Sequence, residues 1–334
     1  MSLKAKDPRA GMVRGPRVAS LVLLGVLLLL ALGPWWASRG TMRLLVEFFY
    51  MLTLAQLWNL LAGYAGLISV GQQAFVGLGG YFLFALVILA GVPVLVAMPL
   101  AALATALLAL PSAKLLFRMR GAYFAVGSWV VAEVFRLAAA QIGALGGGSG
   151  ISLPAKFVKA ISASRWLRES TIYWIALAIM AAVLIGMWLL LRSGYGLALA
   201  AVRDDEEAAR ASGVQVERIR FRVFVGVALV TGLIGALIFL HKLRITPEAG
   251  FSVTDWTVIV MFIAVIGGIG TLEGPILGAI AYFLLREQLA DLGNWFFVIL
   301  GLATIAIMLF EPRGLWGLVQ RWRAITFFHT SRRL

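Results

Sequence analysis

The sequence has 334 residues, of which 62% are hydrophobic and 13% charged, with 29 Lys and Arg against 15 Asp and Glu for a net charge of +14. A typical soluble domain is about 25% charged and about half apolar, so this composition excludes a single water-soluble core and describes a chain whose surface faces lipid. A basic balance of this size often marks nucleic-acid binding; here the cations stand between apolar runs, which reads as orientation across a bilayer and not as a nucleic-acid footprint.

Taken in chain order, residues 1–17 form a basic N-terminal segment (Lys4, Lys6, Arg9, Arg14, Arg17) ahead of an apolar run from Val18 to about Trp36. No small-x-small cleavage site follows it, which favours a retained signal anchor over a cleaved peptide. Further apolar stretches lie near 44–62, 74–90, 94–111, 121–140, 171–191, 221–240, 255–270, 275–290 and 294–310. At ~20 residues per span, they predict an all-α, polytopic integral membrane protein of about ten transmembrane helices, a single transmembrane domain over 18–311 and a basic tail over 312–334. With the N-terminus inside, 19 of the 29 Lys and Arg fall in inside segments, which predicts that both termini are cytoplasmic. One long external loop, about 141–170, opens on the glycine-rich run Gly146 to Gly150 and reads as flexible. The long internal loop is about 192–222.

Several chemistries are excluded. There is no cysteine, and the two histidines, His241 and His329, are too few for a metal triad. No Gly-x-Gly pair has the third glycine of a dinucleotide loop, and no Lys follows a Gly as in a phosphate loop. No metal, cofactor or catalytic residue is expected on this chain, so any nucleotide energy comes from a partner.

The internal loop is different. Arg203-Asp204-Asp205-Glu206-Glu207-Ala208-Ala209-Arg210, closed by Gly213, places acids first, a cation late and a glycine at the end, the order that suits a short helix. A second helix is expected to start near Val214 and run into the next span. A plain solvated connector is the alternative, although a capped, charged helix continuous with a span can transmit a push that a floppy loop cannot.

Glu207-Ala208-Ala209 with Gly213 resembles the Glu-Ala-Ala-x-x-x-Gly coupling helix of ABC importer permeases, and the fuller run from Arg192-Ser193 through Gly196, Ala198-Leu199, Ala201 and Arg203 to Gly213 resembles branched-chain amino acid permeases of the LivM type. Gly63-Tyr64-Ala65-Gly66 through Ser69, Gly71-Gln72-Gln73-Ala74-Phe75, Gly77, Gly79 and Tyr81 looks like that family's second-span signature. Arg120-Gly121-Ala122-Tyr123-Phe124 with Glu133 and Arg136, then Gly267-Gly268-Ile269-Gly270 with Gly274-Pro275 and Gly278, and finally Pro312-Arg313-Gly314-Leu315 follow in the family's order. The resemblance covers about 50–320. It implies a permease fold with a cytoplasmic coupling helix, in the plasma (inner) membrane of a bacterium or archaeon. It also implies a second, LivH-type permease subunit, two ATP-binding subunits carrying ATP and Mg, and an external solute-binding protein. Three positions depart from the pattern: Leu197 where Arg is common, Ser128-Trp129 for Thr-Leu, and Leu145 before the glycine run.

The two glycine clusters superpose at a shift of 201 residues, placing Gly66 on Gly267 and Gly77 on Gly278, which points to an internal repeat. Glycine-interrupted helices in transporter repeats mark a midplane path; Gly-x-x-x-Gly steps at Gly270, Gly274 and Gly278 also serve close helix packing. Candidate path residues are Gly66, Ser69, Gln72, Gln73, Phe75, Tyr123, Glu133, Gly267, Gly268 and Gly270. Glu133 and Arg136 share one helix face and are expected to pair, whereas Arg286 and Glu287 are neighbours expected at a span's polar side or end. Most of the eleven Trp are expected at the interface. The function expected is ATP-driven import of branched-chain amino acids, with urea or a short amide as the alternative solute and an ion-gradient-driven secondary transporter as the alternative class.

Overall fold

The computed structural model describes residues 25–159, 162, 164–289, 293, 295–311 and 313–322. The N-terminal segment 1–17, the start of the first apolar run and the tail from 323 onward, including His329, lie outside the described residues. Within them the chain is a helical assembly with a single pair of two-residue strands. The main helices are α1 (Arg39–Asn59), α2 (Gln72–Ile88), α3 (Val94–Leu116), α4 (Ala122–Ala140), α5 (Arg165–Arg192), α6 (Gly194–Asp204), α7 (Glu206–Ala211), α8 (Val216–Lys242), α9 (Ile259–Gly267), α10 (Gly274–Gln288), α11 (Trp295–Phe310) and α12 (Gly314–Trp322).

Where described, the ten apolar stretches are largely helical, but among the described residues six helices are long and apolar enough to cross a membrane, or seven if α11 and α12, bent by 48° at a short break, form one span. The six are α1 with its continuation to Tyr64, α3, α4, α5, α8, and α9 counted from Pro247. The count of ten is therefore not reproduced. The physical reason is length: α2, α10 and α11 have 17, 15 and 16 residues, or roughly 23–26 Å at 1.5 Å per residue, short of a ~30 Å hydrocarbon core. Hydropathy registers such short helices as spans because it reads apolarity and is blind to a broken backbone. The internal repeat is not reproduced in the element order.

Burial separates centre from periphery. In the most apolar window of α1 78% of residues are buried, and in α8 72%, against 22% in α4 and 28% in α5. The central packing rests on glycine. Gly79 sits against the Gly232 backbone, Gly235 against Val76 and Gly232 against Thr105, with no room for a Cβ at any of the three. That lets α8 approach α2 and α3 at backbone distance, the small-residue packing that lipid-embedded helices depend on. Gly267, Gly274 and Gly278 play the same part in the tight turn between α9 and α10, where Gly278 abuts the Ile263 carbonyl.

At the end of the bundle opposite α6 and α7, β1 (Ile151–Ser152) pairs antiparallel with β2 (Arg244–Ile245). The glycine run of this loop is ordered here, contrary to the flexible reading: Gly146, Gly147 and Gly150 take φ values of 83°, 54° and 72°, and Gly150 presses against the Ile245 carbonyl. These are left-handed turns that a side chain would strain. Trp58, Trp256 and Trp316 are buried at 2%, 1% and 3% exposure, so these three are core residues and not interfacial anchors.

Because the chain has no cysteine, single-cysteine labelling reads its topology directly. Ala208→Cys on α7 and Lys156→Cys in the strand-bearing loop are expected to react with an impermeant maleimide from opposite faces of sealed vesicles. Labelling of both from one face would contradict the arrangement of α5 as a span between them.

Candidate functional site

Two breaks interrupt the helices at the α6–α7 end. α1 runs into a π-helical turn, Leu60–Tyr64, and the backbone then opens over 65–71 before α2 begins. α9 ends at Gly267, and the backbone opens over 268–273 before α10 begins. Glycine permits both: Gly66, Gly268 and Gly270 have φ values of 69°, 127° and 78°, a region L-residues avoid. Opened backbone inside an apolar bundle needs partners for its N–H and C=O groups, and the structure supplies them from side chains.

The second break is held by two buried amides of α1. Asn59 Oδ1 accepts from the Gly270 N–H at 2.8 Å while its Nδ2 donates to the Thr271 carbonyl at 2.8 Å, and Gln56 Nε2 donates to the Leu272 carbonyl at 2.7 Å. Thr271 completes the turn, its hydroxyl bridging the Gly268 carbonyl and the Gly274 N–H at 2.9 and 3.0 Å. Gly63 lets the α1 continuation touch Gly270 without a side chain between them. The first break is held likewise: Trp58 Nε1 donates to the Ser69 carbonyl at 2.8 Å, and the Val70 N–H donates to Ser128 Oγ at 2.9 Å. The departure to Ser at 128 thus keeps the hydroxyl that this bond requires.

The coupling element touches both breaks. The expected single helix over about 203–213 is split, because Asp205 leaves the helical conformation and caps α7, its carboxylate accepting from the Glu207 and Ala208 N–H groups at 2.9 and 3.0 Å. Asp is preferred at such a cap because its short acceptor satisfies orphan donors. Arg203 and Asp204 therefore end α6 and pair with each other at 2.9 Å. α7 itself is six residues long, closed by Gly213 at φ 85°, and α8 starts at Val216, close to the expected position.

Glu206 joins this element to the membrane helices. Its carboxylate pairs with Arg210 and with Arg220, both at 2.8 Å. The Arg210 and then the Arg220 hydrogen bonds hold the Glu206 carboxyl below its ordinary range, against an opposing desolvation. Arg220 in turn donates from Nε to the Ala65 carbonyl at 3.0 Å, and its guanidinium lies beside Gly66. The Arg203 guanidinium lies beside Gly270. Each break is thus in contact with one cation of the α6–α8 region. Asp204, Asp205, Glu207, Ala208, Arg210 and Gly213 remain exposed, whereas Ala209 is buried against Val202 and Val216.

The candidate path residues do not form one lining. Ser69, Gln72, Gln73 and Phe75 are buried within the chain, Phe75 against Phe224 and Gln73 bonded to Thr257. Gln56 Oε1, Gln72 Oε1 and Gln73 Nε2 have no hydrogen-bond partner among the described residues, so polar capacity is stored beside the breaks. Tyr123 is 80% exposed on α4, apart from this group. Glu133 and Arg136 do pair, Arg136 Nε lying 2.9 Å from both carboxylate oxygens. Arg286 reaches across to Glu47 at 2.7 Å, a partner that reading neighbours along the chain does not find. Among the described residues no group of acids and histidines is placed to hold a metal.

A multi-pass helical membrane protein with paired helix breaks and a capped loop helix is the architecture of a transport permease. The chain belongs to the family described as branched-chain amino acid transport system, permease component, whose model matches residues 40–309. It is 27% identical over 326 residues to the high-affinity branched-chain amino acid transport permease LivM of Escherichia coli K12, covering 91% of this chain and 76% of that protein. It is 26% identical over 317 residues to LivM of Salmonella typhimurium LT2, covering 88% and 74%. A further relative is the autoinducer 2 import permease LsrC of Klebsiella pneumoniae, 29% identical over 190 residues, which cover 54% of each chain. No solved structure matches.

Asn59→Leu removes the two Asn59 bonds to the second break, leaving the Gln56 bond, and strips the Gly270 N–H and Thr271 C=O of a partner, at about 1–3 kcal/mol each. The detergent-solubilised variant is expected to melt at a clearly lower temperature than the wild type. Equal melting would show that the bridge does not hold the break.

Proposed function

We propose that this chain is one permease subunit of an ATP-driven ABC importer of branched-chain amino acids, in the inner membrane of a bacterium or archaeon with both termini cytoplasmic. It pairs with a second, LivH-type permease subunit, receives solute from an external binding protein, and is driven by two ATP-binding subunits that carry ATP and Mg. The short helices α2, α10 and α11 and the first apolar run, from Val18 to about Trp36, complete a ten-segment, internally repeated permease together with the six long ones. Family membership and the LivM relatives support this solute class.

The observation that carries the mechanism is the chain of contacts from α7 through Glu206 and Arg220 to the Ala65 carbonyl. A rigid-body push on the exposed acidic face of α7 reaches the first break directly. Such an element performs no bond chemistry. It converts closure of the ATPase pair into rearrangement of backbone that is already open. The cytoplasmic chain termini and the docking of the ATPase on Asp204 to Glu207 follow from the distribution of charge: the inside loops are basic, and this segment is the acidic exception.

Glu207 is exposed and engages no other side chain among the described residues, so its reversal tests docking without removing an internal contact. Glu207→Lys is expected to cut leucine uptake about tenfold or more, since like-charge juxtaposition at an interface costs several kcal/mol, while membrane abundance is unchanged. Gly213→Pro, at a positive φ that proline cannot take, is expected to leave ATP hydrolysis running without uptake. Full coupled uptake in both variants, or uptake that persists in vesicles without nucleotide, would overturn the assignment and favour a gradient-driven carrier.

A further inference from the structure

A cavity of about 380 Å³ opens at the end of the bundle opposite α6 and α7, within the ~300–1,000 Å³ range of small-molecule sites. It is walled by α1, the end of α8, the π-helical turn Thr254–Val258, α10 and α11. Four of its lining groups are charged: Glu47, Lys242, Asp255 and Arg286. Two of them neutralise each other, the Arg286 Nη1 lying 2.7 Å from Glu47 Oε1. The other two do not. Among the described residues, neither the Lys242 ammonium nor the Asp255 carboxylate has an ion-pair or hydrogen-bonding side-chain partner. Lys242 stands over the Trp256 ring at 4.7 Å from its centroid. Among the described lining residues the charges therefore balance, and one cation and one anion stay open, with Trp256, Ile259 and Phe296 as apolar lining.

The position of Lys242 is built in. It is the last residue of α8, and Leu243 after it has φ 59°, the one non-glycine residue with positive φ among those described. A leucine held there is strained and persists only when its surroundings impose it. They do: the Leu243 carbonyl accepts from the Leu153 N–H at 2.9 Å, beside the β1–β2 pair. The neighbouring cavity has the opposite character. Arg39, Arg43, Arg165 and Arg168 line it against Glu47 and Glu169, with Lys242 and Glu47 shared between the two cavities, an excess of positive charge that does not match a neutral dipolar solute.

We propose that this cavity is a binding site for a zwitterionic α-amino acid with an apolar side chain, on this chain itself. Asp255 receives the solute's ammonium, Lys242 its carboxylate, and the Trp256, Ile259 and Phe296 wall its side chain. The proposal rests on the import role above and deepens it, by placing part of the solute recognition in the permease in addition to the binding protein. Along α1 the lining residues Glu47, Tyr50 and Met51 lie eight to twelve residues, or roughly 12–18 Å, before Asn59, so one helix connects the site to the second break.

The test uses the full chain purified in lipid nanodiscs with three probes: L-leucine, leucinamide, which lacks the carboxylate, and N-acetyl-leucine, which lacks the ammonium. Lys242→Met is expected to weaken leucine binding about tenfold or more while leaving leucinamide binding unchanged, and Asp255→Asn to weaken leucine to the same extent while leaving N-acetyl-leucine unchanged. This functional-group selectivity distinguishes a site from a folding defect, which would weaken all three. Leucine binding that is unchanged in both variants, equally reduced for every probe, or absent in the wild type overturns the site. If ATP-dependent leucine uptake is intact in cells in any of those cases, the import role stands without it; absence of leucine uptake by the wild type would overturn the import role instead.

Discussion

The arrangement depends on one constraint: backbone that leaves helical geometry inside an apolar bundle must find hydrogen-bond partners there. At 268–273 the partners are Asn59 and Gln56, whose amides reach across from α1 to Gly270, Thr271 and Leu272. An amide suits this role because it donates and accepts at one point, so Asn59 alone serves an N–H and a C=O. The glycines follow from the same demand. Gly270 supplies a turn that other residues resist, and Gly63 removes the side chain that would keep α1 away from it. The burial of α1, the shortness of α10 and the tight α9–α10 turn are consequences of holding that opened segment in place.

On the import role proposed above, the same segment is where the chain rearranges. A continuous helix resists local rearrangement, because every turn is bonded to the next. A break whose bonds are made by side chains can exchange them one at a time. Arg220 and Arg203 place cations of the α6–α8 region against the two breaks, and α12 packs beside the second, with Gly314 against Gly268 and Glu311 paired to Arg321 at 2.8 Å. On that proposed role, motion at the exposed face of α7 is delivered through Glu206 and Arg220 to the opened backbone of the first break.

Much of this was legible in the residues, unevenly. Composition and charge placed the chain in a membrane, and the glycine clusters marked both breaks, since positive φ leaves a visible residue type. The Glu-Ala-Ala loop announced its helix, but the split at Asp205 was hidden because Asp serves equally as a first-turn acid and as a cap. Arg220 was counted only as an inside charge, and nothing in its neighbourhood reveals a carbonyl 155 residues away. Gln56 and Asn59 did carry a signal, two amides three residues apart on one face of an apolar run, where polar groups are costly and need a reason. The spans expected at α2, α10 and α11 are not reproduced as long helices, because hydropathy sees an apolar run without seeing where the helix stops.

The central claim is that α7 and the first break move as one body while the two breaks move relative to each other. The cysteine-free chain allows it to be measured by pulsed electron spin resonance on spin-label pairs at Ile68 with Ala211 and at Ile68 with Ile269, positions that are exposed in the structure. In the assembled transporter, cycling between nucleotide-free and nucleotide-trapped states is expected to leave the Ile68–Ala211 distance fixed and to change the Ile68–Ile269 distance. A changing Ile68–Ala211 distance with Ile68–Ile269 fixed would contradict it, because α7 would then be moving without the break it is supposed to drive.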